Sequence, residues 1–217
     1  MNEADPPKAE YGRLKCETDP NEANRLEENA RKTQKAAEKL FPNEKFVSNM
    51  TEVQPYNKFA EGLSIPKNVK IALSRIPINT SQLDVLRKEL RQAETLARLG
   101  NSVYLTPERT GYKERPKDAI VNGELFEFRN ITGTVKKIEQ KFGDAKRKGA
   151  DVNVYLHLDT DATVNEARRR ICLVMGRHPE YTGKIIVSTK EGEVYFWDSV
   201  SFLEKKPRLA AGRLPRA

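Results

Sequence analysis

The stretch K-D-A-I-V-N-G-E-L-F-E-F-R-N, residues 117–130, decides the fold. It predicts two short strands, over 118–121 and 125–129, joined by a tight turn at Asn122-Gly123. Asp118 opens the first strand, and Glu127 and Arg129 lie on the second. Side chains alternate along a strand, so Glu127 and Arg129 share one face while Phe126 and Phe128 share the other. Two acids and a cation are thereby gathered at one sheet edge. Acids brought this close need positive charge between them, which a divalent cation with oxygen ligands or a basic side chain can supply.

The flanking sequence places this hairpin inside a larger sheet. Upstream, Leu83, Leu86, Leu90, Ala93 and Ala97 recur at the helical period, predicting a helix capped by Thr80 or Ser81 and ended at Gly100. S-V-Y-L-T, before Pro107, reads as a strand. Downstream, a helix is expected over about 134–148, with Val135, Ile138 and Phe142 on one side and Gly143 weakening it. The run V-N-V-Y-L-H-L, residues 152–158, suits an interior strand. A second amphipathic helix carries Val164, Ala167, Ile171 and Val174. Two last strands, over 184–189 and 193–197, flank a turn at Glu191-Gly192. The expected order from Thr80 is α, β, β, β, α, β, α, β, β, an α/β or α+β fold with a mixed central sheet flanked by helices.

Other segments have less pattern. Residues 1–20 read as a disordered leader. Residues 23–41 form a strong helical sequence with a weak apolar face, Leu26, Ala30, Ala37 and Phe41, expected to dock lightly or on a partner. Pro42, Pro55, Pro66 and Pro77 interrupt 42–80, so 21–80 is expected to be a helical extension and linker ahead of an 81–203 domain. The last stretch, 204–217, holds five Lys or Arg against one acid and reads as a basic disordered tail.

Composition narrows the classes. Of 217 residues, 37% are apolar and 32% charged, which suits a globular core with polar appendages. No apolar run approaches the roughly 20 residues that span a bilayer, and the start lacks the basic-then-apolar order of a secretory signal. A protein that is either cytoplasmic or exported by a route this sequence does not encode is expected. Cys16 and Cys172, with His157 and His178, supply no zinc-type ligand spacing. The formal charge of +8 favours polyanionic partners.

Several pieces together carry a resemblance: E-T-L-A-R-L-G-N-S-V-Y-L, then residues 117–130, then the lysine-rich helix and V-N-V-Y-L-H-L. The span 83–197 resembles the C-terminal toxin domain of CdiA-type contact-dependent inhibition proteins, tRNA nucleases with a fold related to PD-(D/E)XK nucleases. Similar modules occur in phage and mobile-element proteins. The resemblance implies a nuclease-like fold and a metal-dependent nuclease acting on RNA, tRNA above all, with a separately encoded immunity protein as partner. It implies a divalent ion, Mg²⁺, Mn²⁺ or Zn²⁺, held by Asp118 and Glu127, with Glu94 as the acid from the preceding helix; helical spacing alone equally allows Glu94 to be a solvated acid pairing with Arg91 or Arg98 one turn away. Arg129 stands where the family usually has lysine. A lysine can help orient or deprotonate water, whereas arginine stays protonated and can only stabilise negative charge.

Two other readings stand beside it. A non-catalytic nucleic-acid-binding or mobile-element accessory protein could keep this fold and use its basic helices, Lys136, Lys137, Lys141, Lys146, Arg147 and Lys148 in one and Arg168, Arg169 and Arg170 in the other. A histidine-driven RNase could use His178 as base with Arg129 or Lys184 on the phosphate; His157 reads as structural. If Glu94 turns away from the other acids, the binding reading gains.

Overall fold

The computed structural model describes residues 20–53, 57–108, 117–197 and 212–213. The 1–20 leader, apart from its last residue, and most of the 204–217 tail lie outside them. Helix α1 (Pro20–Leu40) is followed by strands β1 (Phe46–Val47) and β2 (Val69–Ala72), then helix α2 (Thr80–Arg98). Next come β3 (Val103–Leu105), β4 (Ala119–Val121), β5 (Glu124–Thr132), helix α3 (Lys136–Lys146), β6 (Asn153–Asp159) and helix α4 (Val164–Gly176). Strands β7 (Ile185–Thr189), β8 (Glu193–Trp197) and β9 (Gly212–Arg213) complete one nine-stranded sheet, in chain order from β1 to β9. The sheet is mixed: β2 with β3, β5 with β6 and β6 with β7 are parallel, and the other neighbours are antiparallel. From Thr80 to Trp197 the order is the one the periodicities predict, an α+β fold.

Alternation along the strands divides the core between two faces. Val103, Leu105, Ala119, Val121, Phe126, Phe128 and Tyr155 pack with Leu86, Leu90, Ala93 and Leu96 of α2. Residues one step out of phase, Ile131, Val154, Leu156, Leu158, Ile185 and Val187, pack with Ile138 and Phe142 of α3 and Ala167 and Ile171 of α4. Tyr104 and Ile120 meet Ala37 and Phe41. Helix α1 therefore docks on this chain's own sheet, the first of the two outcomes that its weak apolar face allows. Polar contacts compensate for that face: Thr33 is fully buried and donates to the Ser102 carbonyl, and Tyr104 Oη donates to Gln34 at 2.6 Å.

The 42–80 segment is not a linker. It supplies β1 and β2, and β2 pairs in parallel with β3. Pro42, Pro66 and Pro77 lie outside these strands, so they punctuate the pairing without interrupting it. At the other end, Gly212 and Arg213 of the basic tail pair with β8. Asn79, and not Thr80 or Ser81, caps α2, its side chain accepting from the Gln82 N–H at 2.9 Å. Thr163 and Glu166 form a capping box at α4.

The hairpin turn is built as its sequence demands. Asn122 and Gly123 both have positive φ, 50° and 90°, which matches the twist of the strands they join. The Asn122 side chain adds two tethers, accepting from the Ser102 N–H at 2.9 Å and donating to Asn101 Oδ1 at 2.7 Å. Asn122→Ala is therefore expected to cost about 2 kcal/mol, from left-handed strain together with lost hydrogen bonds, as read by urea denaturation.

Candidate functional site

The site exists because β4 stops and β5 does not. Their ladder ends at Ala119 opposite Phe126, while β5 runs on to Thr132 beside β6 alone. The freed backbone groups of β5 are met by side chains. Asp118 Oδ2 accepts from the Phe128 N–H at 2.9 Å, standing in for the next rung, and Gln92 Nε2 of α2 donates to the Arg129 carbonyl at 3.2 Å. A carboxylate is thus fixed at the point where the strands part.

Arg129 lies between the two acids. Its Nη1 donates to Asp118 Oδ2 at 3.0 Å and to the Phe128 carbonyl at 2.6 Å, and its Nη2 to Glu127 Oε2 at 2.7 Å. Glu127 is fully buried, and its other oxygen accepts from Lys148 Nζ at 2.5 Å. Burial, and after it the Asp118 carboxylate, push the Glu127 carboxyl above its ordinary range, against the pull of Lys148 and Arg129. Two acids and two bases make an electrically balanced cluster. Of the acids, Asp118 reaches solvent, with 17% of its side chain exposed, and Glu127 does not.

A second ion pair braces the first. Arg75, whose side chain is 3% exposed, meets Glu89 of α2 at 2.6 Å, and its Nη1 donates to the carbonyls of Thr106 and Asp118. Burial raises the Glu89 carboxyl as well, despite Arg75. Around these pairs opens a cavity of about 330 Å³, lined by Arg75, Lys88, Lys117, Arg129 and Lys141 and by the acids Glu89, Glu108 and Asp118.

Asp118, Glu127 and Arg129 are therefore brought together. Glu94 is not. It bonds Arg98 one turn along the helix at 2.5 Å, with 39% of its side chain exposed. The reason is helical geometry: Gln92 reaches β5, and Glu94 stands about 200° further round the axis. The acid that α2 does send to the pocket is Glu89, already held by Arg75. Arg75 and Glu89 escaped sequence reading because Arg75 falls in the supposed linker; its signal was a lone arginine in the apolar run I-A-L-S-R-I-P. Of the basic helix positions, Lys146 pairs with Glu180, Arg147 with Asp144, Lys148 with Glu127 and Arg170 with Glu139, while Lys141 lines the cavity.

The histidines lie elsewhere. His178 Nδ1 is 3.3 Å from Glu180 on a surface loop. His157 Nδ1 is 2.8 Å from Ser188 Oγ, which also contacts Tyr155 Oη at 2.8 Å. Burial holds the His157 imidazole below its ordinary pKa, against Asp159 and with the help of Arg91, and pushes the Tyr155 phenol up to about 12. Cys172 is a free, exposed thiol, and Cys16 lies outside the described residues.

The donor set does not fit a divalent ion in this arrangement. Both Glu127 oxygens hold cationic nitrogens, and Asp118 Oδ2 holds two donors. Among the described residues no three His, Cys, Asp or Glu side chains are grouped to hold a metal ion, and none of the helices is long and apolar enough to cross a membrane. No family model matches the chain, and neither the curated proteins nor the solved structures supply a match. The resemblance to the toxin nucleases thus rests on the residues themselves.

The cluster's balance is testable. Lys148→Met leaves a fully buried carboxylate with one cation fewer and is expected to cost about 3 kcal/mol. Adding Glu127→Gln should recover part of that loss, so a double-mutant cycle in urea should show coupling between the two positions.

Proposed function

We propose that this chain acts on nucleic acid, RNA before DNA, by gripping the phosphate backbone at a pocket of nuclease layout. The observation that carries this reading is the lining of that pocket. Five cationic side chains, Arg75, Lys88, Lys117, Arg129 and Lys141, stand against three acidic ones, Glu89, Glu108 and Asp118. An excess of positive charge in a concave site concentrates polyanions there, and the +8 net charge of the chain adds attraction at longer range. Arg129, whose Nη1 and Nη2 are held by Asp118, the Phe128 carbonyl and Glu127, adds fixed positive charge to the pocket wall and leaves the phosphate contacts to the lysines. On this reading Lys88 and Lys141 contact phosphates, and the Arg75–Glu89 pair keeps the pocket wall in place.

Cleavage of the bound backbone is the second reading. It is favoured by the convergence of Asp118, Glu127 and Arg129 beside one cavity, where Arg129 could offset charge developing on a phosphate. Asp118 is the acid with access to a bound backbone, because Glu127 is closed off. This would make the chain an RNase of toxin or mobile-element type, with an immunity protein as its separate partner. Full pairing of Glu127 and the outward position of Glu94 support binding over cleavage.

Purified protein incubated with total tRNA and with plasmid DNA, with and without Mg²⁺, Mn²⁺ or Zn²⁺, separates the two. Salt-sensitive binding of tRNA without cleavage is expected, and Lys88→Ala and Lys141→Ala should each lower the slope of log affinity against log salt by about 1. Cleavage abolished by Asp118→Ala makes the nuclease reading the correct one. No binding of either nucleic acid at low salt rules out both.

A further inference from the structure

We propose that Arg129 and Lys148 occupy the charge position between Asp118 and Glu127 that a divalent cation would take, so that the site is closed to such ions while Arg129 is present and becomes a cation site when Arg129 is removed. The geometry is that of a built-in counterion. One guanidinium touches both carboxylates, at 3.0 Å and 2.7 Å, and is itself fixed by the Phe128 carbonyl at 2.6 Å. Lys148 takes the remaining Glu127 oxygen.

The charge count supports exclusion. With two acids already offset by two bases, a divalent ion entering beside Arg129 meets a neutral cluster and a fixed positive group in a half-buried place. Removing Arg129 changes both conditions. Two carboxylates from neighbouring strands are left facing one gap with a single lysine, and the hard oxygen donors suit Mg²⁺ or Mn²⁺. The inference stands apart from the nucleic-acid reading, because it concerns what neutralises the acids and not what enters the pocket.

The test is Mn²⁺ binding to the full chain, followed by electron paramagnetic resonance and by the thermal unfolding midpoint. The unsubstituted chain is expected to show no Mn²⁺ binding that depends on Asp118. Arg129→Ala is expected to bind Mn²⁺ at least about tenfold more tightly than the unsubstituted chain and to melt at a higher temperature when the ion is added. Asp118→Asn in the Arg129→Ala background should abolish both effects. If Arg129→Ala is unfolded without metal, added Mn²⁺ should refold it. Asp118-dependent Mn²⁺ binding by the unsubstituted chain overturns the proposal. So does a folded Arg129→Ala chain that gains no Mn²⁺ affinity, or an unfolded one that Mn²⁺ does not restore.

Discussion

A fully buried carboxylate governs this structure. Moving Glu127 out of water costs several kcal/mol unless its charge is met in place, and an uncompensated one would be held neutral or would unfold its surroundings. Meeting it requires a lysine from beyond the end of α3 and an arginine two residues along the same strand. That requirement fixes how α3 approaches β5. It also fixes which side of β5 carries charge, since alternation then commits Phe126 and Phe128 to the apolar face against α2.

Arg129 in turn requires Asp118, and Asp118 marks where the sheet divides. Its carboxylate takes a backbone N–H that a longer β4 would have taken, so the polar cluster and the fork in the sheet are one feature. Arg75 extends the arrangement to the opposite side by bonding the carbonyls of Thr106 and Asp118 while paired with Glu89. Three segments of the chain, around 75, around 89 and the hairpin from 118 to 129, thereby meet at one pocket. Each is held by groups that cannot be replaced singly by apolar residues without stranding a charge.

The hairpin and the meeting of Asp118, Glu127 and Arg129 were legible because both are local. Asn122-Gly123 specifies the turn, period-two alternation assigns Glu127 and Arg129 to one face, and the helical rows of α2, α3 and α4 place the layers. Residues 42–80 were misjudged because strands of two and four residues carry too little periodicity to outweigh prolines that lie beside them. Spacing leaves Glu94 two readings, a solvent-facing pair with Arg91 or Arg98 or an acid at the pocket rim, and the pair with Arg98 is the one that forms. Sequence spacing shows that an acid lies near an apolar row, but which acid reaches a pocket depends on how the helix is rotated over the sheet, and that is set by Leu86, Leu90, Ala93 and Leu96 packing against distant strands. The ion pairs of Glu127 with Lys148 and of Arg75 with Glu89 are tertiary facts; a lone arginine in an apolar run marks Arg75 as unusual but does not name its partner.

The two margins of the sheet, β1 and β9, are only two residues long each. Long unpaired strand edges recruit strands from other molecules, and short ones give little purchase for such growth. Among the described residues, a nine-stranded sheet with borders this short is therefore guarded against edge-to-edge aggregation.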